Sequence, residues 1–110
     1  MPKDNNAHFF LILSKAPNVW RRRRRHFIYR IFTENVNVEA IRQILAQHFK
    51  GGYTTFDGSG FWKGMKEGTI VIEIDGTSAK KARSAAEAIK NLNKQEAVLV
   101  ERHPVETILV

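Results

Sequence analysis

The chain has 110 residues, 43% of them hydrophobic and 26% charged, with a formal net charge of +7. That length supports one modest core rather than two, and the composition is that of a folded chain. With no cysteine present, disulfides, thiolate metal sites and thiol catalysis are excluded. The longest purely apolar run, Phe9 to Leu13, falls far short of the roughly 20 residues needed to span a bilayer. No small-residue cleavage site follows it. The expectation is a single domain, residues 1–110, with no membrane partner, working in the cytoplasm.

The charge is concentrated. From Lys15 to Arg30 there are seven basic residues and no acidic one, which leaves eleven of each sign in the rest of the chain. The centre of this segment is Trp20, Arg21, Arg22, Arg23, Arg24, Arg25 and His26. Charge gathered in so short a stretch makes a local field that attracts polyanions.

In chain order, residues 1–7 are polar and expected to be loose. His8 to Ser14 reads as a strand, too short and too uniformly apolar for a helix, and Ala16-Pro17-Asn18 breaks it. Residues 15–25 then form a basic arm or hairpin connection. His26 to Thr33 is a second strand, with Phe27, Tyr29 and Ile31 on one face and Ile28, Arg30 and Phe32 on the other. Asn37 is placed to cap a helix, with Glu39 in its first turn and Val36 spaced to staple onto Ile41. Val38, Ile41, Leu45 and His48, widened by Ile44 and Phe49, make its apolar stripe, and Gly51 suits a left-handed end.

Tyr53 to Phe56 is β-prone, Asp57-Gly58-Ser59-Gly60 offers a bend or bulge, and Phe61-Trp62-Lys63 resumes the strand. Gly64 to Gly68 turns the chain into Thr69 to Asp75, where Ile70, Ile72 and Ile74 alternate with the residues of a second face. Thr77 or Ser78 caps a second helix to about Asn93, with the stripe Ala79, Ala82, Ala86, Ile89 and Leu92. Ala97 to Val100 is a strand, Pro104 interrupts it, and Val105 to Val110 forms a last short one. The fold class is α+β: a ferredoxin-like βαββαβ core with an additional N-terminal strand and a short C-terminal strand, its antiparallel sheet covered by two helices on one face. The other face, with Val71 and the aromatics Phe56, Phe61 and Trp62, is apolar enough to suggest self-association or ligand stacking.

The stretch Gly52-Tyr53-Thr54-Thr55-Phe56-Asp57-Gly58-Ser59-Gly60-Phe61-Trp62-Lys63-Gly64, with Glu67 and Ile70-Val71-Ile72-Glu73-Ile74, resembles the central hairpin of small stand-alone PII-like proteins. The resemblance covers roughly residues 26–102. It implies subunits assembled as trimers with nucleotides bound in the clefts between them. The chain departs from that pattern in two places: Gly64 to Gly68 replaces the long mobile loop, and the arginine run has no counterpart.

For function, the first reading is a non-enzymatic homo-oligomer, a dimer or trimer, that binds nucleic acid or another polyanion. Its site residues are Trp20, Arg21, Arg22, Arg23, Arg24, Arg25, His26 and Arg30. Guanidinium forks match phosphate oxygens, and the aromatic neighbours can stack on bases. The alternative is a PII-like nucleotide-sensing regulator acting on a protein partner, with Phe61, Trp62, Lys63 and Lys66 as ligand or interface residues. A third reading is a small inhibitor of a nucleic-acid-handling complex. A catalytic reading has to be built from Asp57, Glu67, Glu73, Asp75, Glu101 and His103. Glu73 and Asp75 share one strand face as a metal-ligating pair would, though such alternation is more commonly just solvated. No Ser-His-Asp, HxH or HExxH signal and no phosphate loop is present, so no cofactor or metal is expected, and a metal-dependent nuclease is the least remote activity.

Overall fold

The computed structural model describes residues 23–110. Residues 27–103 form one compact unit, while residues 23–26 and 104–110, the outer ends of two strands, group in a second. The elements are β1 (Arg23–Glu34), α1 (Val38–His48), β2 (Thr54–Trp62), β3 (Met65–Asp75), α2 (Ala79–Asn93) and β4 (Leu99–Ile108). The strands form one antiparallel sheet of order β2-β3-β1-β4, the expected βαββαβ core. The N-terminal strand expected over His8 to Ser14, the loose residues 1–7, and Trp20, Arg21 and Arg22 lie outside the described residues.

β1 and β3 pair with Ile31 opposite Ile72. Tyr29, Ile31 and Thr33 of β1 and Ile70, Ile72 and Ile74 of β3 are all buried, because the two-residue period of a strand puts each set on one face. Ile41, Leu45 and Phe49 of the α1 region and Ala85, Ala86 and Ile89 of α2 join them in the core. The alanines of α2 remove the bulk that would otherwise hold the helix off the sheet. His48 packs between the helices, its Nδ1–H donating to the Ile44 carbonyl at 2.9 Å and Nε2 accepting from the Ser84 hydroxyl at 3.2 Å.

Several boundaries differ from the expectation. β1 begins at Arg23, so Arg23–Arg25 are strand rather than connection. Asn37 precedes α1 in a left-handed conformation, φ 54°, and its side chain makes no cap; it donates instead to Asn93 Oδ1 at 2.8 Å. Val36 stays exposed, so the staple adds little. The positive φ after α1 falls on Gly52, not Gly51.

β2 runs unbroken. Every residue from Thr54 to Trp62 has a partner on β3, ending with Trp62 opposite Met65, so Asp57 to Gly60 form no bulge. Regular pairing with β3 outweighs the weak strand preference of two glycines. The turn is then only Lys63-Gly64, both at positive φ, the tight two-residue connection whose twist matches a hairpin. In α2, Ala79 is exposed and Ala85 takes a core place instead. The residues expected as a separate C-terminal strand continue β4 through Pro104; among the described residues β4 is an outer strand, a position that tolerates proline's missing N–H.

α2 starts on Ser78, whose hydroxyl accepts from the Lys81 backbone N–H at 3.1 Å. Ser78→Ala removes this cap and is expected to lower the unfolding free energy by about 1 kcal/mol, read as a shift in urea midpoint with an unchanged slope.

Candidate functional site

One end of the sheet, at the β2–β3 hairpin, borders a groove of about 690 Å³. The hairpin supplies Gly60, Phe61, Trp62, Glu67 and Thr69, β1 supplies Phe32 to Glu34, and the segment after α2, Lys94 to Leu99, closes the far wall. Register explains how the sequence builds it. Glu34 lies opposite Thr69 and Gly60 opposite Glu67, so alternation puts both glutamates and Gly60 on the face turned away from the helices.

The far wall is tied in place. Thr33 donates from its buried hydroxyl to Gln95 Oε1, and Asn93 donates to the same oxygen at 3.3 Å. Lys63 at the hairpin tip meets Glu96 at 3.2 Å. Both partners of that ion pair are largely exposed, so it orients the tip more than it stabilises the fold. At Gly60 a Cβ would come within 2.6 Å of Thr69 Oγ1, so glycine is what lets the threonine lie across β2.

Phe61 is 72% and Trp62 50% exposed and both border the groove, but consecutive strand residues point to opposite faces, so Trp62 shares the face of Gly60 and Glu67 while Phe61, expected beside it, takes the other. On the face of Trp62, the Glu67 carboxyl is held above the ordinary carboxylate range by desolvation, by the negative charge of Glu34 and by a hydrogen bond with that partner. A like charge alongside disfavours the ionised form of Glu67. The groove thus combines aromatic surface with an acidic pair, a combination suited to a cation.

Of the residues singled out from sequence, Phe61 and Trp62 line this groove and Lys63 sits at its edge through Glu96. Lys66, opposite Phe61 on β3, is not among the lining residues. Arg25 is exposed and His26 half-buried. Arg30 faces Glu73 across β1–β3, with 3.8 Å between the charged groups. Glu101 and His103 pair at 2.8 Å on β4. Among the described residues no group of three His, Asp or Glu side chains is placed to hold a metal ion, and no helix is long and apolar enough to cross a membrane. Sequence reasoning misses the Glu34–Glu67 pair.

A second hollow, of about 450 Å³, lies where the end of α1 approaches the start of α2. Lys50 and Lys81, the left-handed glycines Gly52 and Gly76, and Thr77 line it, with Asp75 in the wall. The Thr77 hydroxyl oxygen is buried there without a hydrogen-bond partner among the described residues.

The helices on one face and the strand order define a ferredoxin-like fold of the PII-like kind. The chain is similar to CPII, a nitrogen regulatory PII-like protein from Thiomonas intermedia K12, in a structure bound to ADP, AMP and bicarbonate. The TM-score is 0.61 at 16% identity, over 81% of this chain and 99% of that one. It is similar also to a phage SAM lyase in its apo state, with a TM-score of 0.60 at 18% identity over 77% and 90% of the two chains. A PII-like signalling protein of Thermus thermophilus gives 0.50 at 16% identity over 78% and 91%. At these identities the shared property is the fold. No protein-family model and no curated protein matches the chain.

Proposed function

We propose that this chain assembles as a PII-like homo-oligomer, a dimer or a trimer, that binds a small adenosine-containing ligand in the groove beside the β2–β3 hairpin. Support for an adenosine ligand comes from the similar structures, which include a protein holding ADP and AMP and a lyase of SAM, S-adenosylmethionine. The observation that carries the choice between them is the Glu34–Glu67 pair on the face of Trp62. An acidic pair repels phosphates. It attracts a sulfonium, which an indole face also favours by roughly 0.5–2 kcal/mol.

SAM is therefore the ligand this groove supports best, and its cleavage the activity. Attack of the substrate's own carboxylate oxygen on the γ-carbon forms a C–O bond as the sulfonium C–S bond breaks, giving a lactone and a neutral thioether. The acidic pair holds the thioether less tightly than the sulfonium, so turnover favours release. Calorimetry with SAM, ADP and AMP, followed by mass spectrometry of the SAM incubation, tests this. SAM should bind in preference to both nucleotides and yield a thioether. Tighter binding of ADP with SAM left intact would sink the reading.

A nucleotide-sensing regulator that acts on a protein partner is the second reading, favoured by the hollow between α1 and α2. Its two lysines and the N-terminal turn of α2 offer positive charge and backbone donors to phosphate. In that case Lys81→Gln weakens ADP binding and Glu67→Gln does not. Nucleic-acid binding rests on the arginine run alone, as a separable surface. Glutamine at Arg21 to Arg25 should abolish retention in a salt-titrated shift assay and leave SAM binding unchanged.

A further inference from the structure

On the helix-covered side a third hollow, of about 400 Å³, runs between α2 and β4. Its apolar floor includes Ala86, Val98 and Val100, and Arg83, Lys90 and Arg102 stand exposed around it. Glu87 is the acidic residue in the lining. It meets Arg83 at 3.6 Å with both side chains mostly in solvent, a pairing too screened to cancel the cation. Arg102 is already ordered, its guanidinium 4.4 Å from the centre of the Phe27 ring, so less side-chain entropy is lost when it engages a partner.

β4 is an outer strand of the sheet among the described residues. An outer strand presents a row of backbone donors and acceptors to any extended chain laid along it. Here that row runs beside the hollow. The side chains an added strand would turn toward α2 meet an apolar floor in the middle and cations around it.

We propose that this edge is a docking surface for an extended acidic segment of another protein, which adds to β4 along residues 99–102, next to Val98. Strand addition supplies backbone hydrogen bonds, and alternate side chains supply specificity. The matching segment carries an apolar residue flanked, at every second position, by carboxylates: the first fills the hollow, and the others meet Arg83, Lys90 and Arg102. A polyphosphate backbone has no group for the apolar floor, which makes a peptide the better occupant. The hollow adjoins the groove at the hairpin, with which it shares Val98, but its cations and its strand edge are not part of that groove.

The test uses the full chain and two synthetic peptides. In one, glutamate, valine and glutamate occupy alternate positions with threonines between; in the other, lysines replace the glutamates. Fluorescence anisotropy gives affinities, and amide chemical shifts locate the contact. The glutamate peptide is expected to bind, to shift the amides of residues 99–102, and to weaken about tenfold in an Arg83→Gln, Lys90→Gln double variant, from two screened charges lost. Both substitutions are on the exposed side of α2 and leave the core intact. The proposal is overturned if the glutamate peptide does not bind, if the lysine peptide binds as well, if the double variant binds unchanged, if the shifts lie elsewhere, or if a single-stranded oligonucleotide displaces the peptide from these amides.

Discussion

Glu67→Gln is expected to weaken SAM binding at neutral pH by about tenfold or more, a loss of roughly 1.4 kcal/mol. The substitution keeps the shape of the side chain and its capacity to hydrogen-bond Glu34, and removes only charge. Because the Glu67 carboxyl titrates above the ordinary glutamate range, the acidic pair still holds a proton where a solvated glutamate would have lost it. Affinity for a cation should therefore rise with pH through that raised value and level off once Glu67 is ionised. In the variant this rise should largely disappear. The same shift acts on stability in the opposite direction: the folded chain binds this proton more tightly than the unfolded chain, so the group's contribution falls as pH climbs from the ordinary range through the raised value. Solvent contact keeps that second effect small. Calorimetry across pH, on both proteins, reads the first; equal affinities at neutral pH would remove the acidic pair from the site.

Val71→Glu is expected to keep the chain monomeric where the proposed homo-oligomer would otherwise form. Val71 lies opposite Phe32 on one side and Phe56 on the other, and this row faces away from the helices because its neighbours Ile70 and Ile72 are buried beneath them. Phe56 is 50% exposed, an apolar surface that a subunit alone leaves wet. A carboxylate at the centre of that row would be buried without a partner in any assembly made through it, at a cost of about 3 kcal/mol or more per subunit. In the monomer it stands in water and costs little, so the fold should survive. Light scattering and urea unfolding together separate the two effects. If the unmodified protein is already monomeric, or the variant assembles normally, the face has another use.

Much of the fold is legible in the sequence because it depends on short periods. The alternation of Ile70, Ile72 and Ile74, the stripe of Ile41 and Leu45, and the serine before Ala79 each report a local rule, and the order of elements follows from them. What local rules do not decide is where pairing overrides preference. Gly58 and Gly60 read as a bulge, yet β3 holds them in register. α2 ends on Lys94 in the left-handed conformation with no glycine to mark the place. The acidic pair is hidden for a related reason. Glu34 and Glu67 are far apart in the chain and meet only when β1 and β3 are laid antiparallel, and the signal that could have found them is the match of Ile31 to Ile72. With that one register fixed, Glu34 falls beside Thr69, two positions from Glu67 on the same face.

The unbroken ladder between β2 and β3 also limits how this protein can diverge. Faces alternate residue by residue, so loss or gain of a single residue between Gly58 and Trp62 would turn every later side chain of the strand to the opposite side. Trp62 would leave the face of the acidic pair and Phe61 would take it, while the tight Lys63-Gly64 turn has no slack to absorb the change. Relatives of this chain should therefore vary the groove by exchanging side chains, or by length changes in pairs, with odd insertions confined to the segments outside the hairpin.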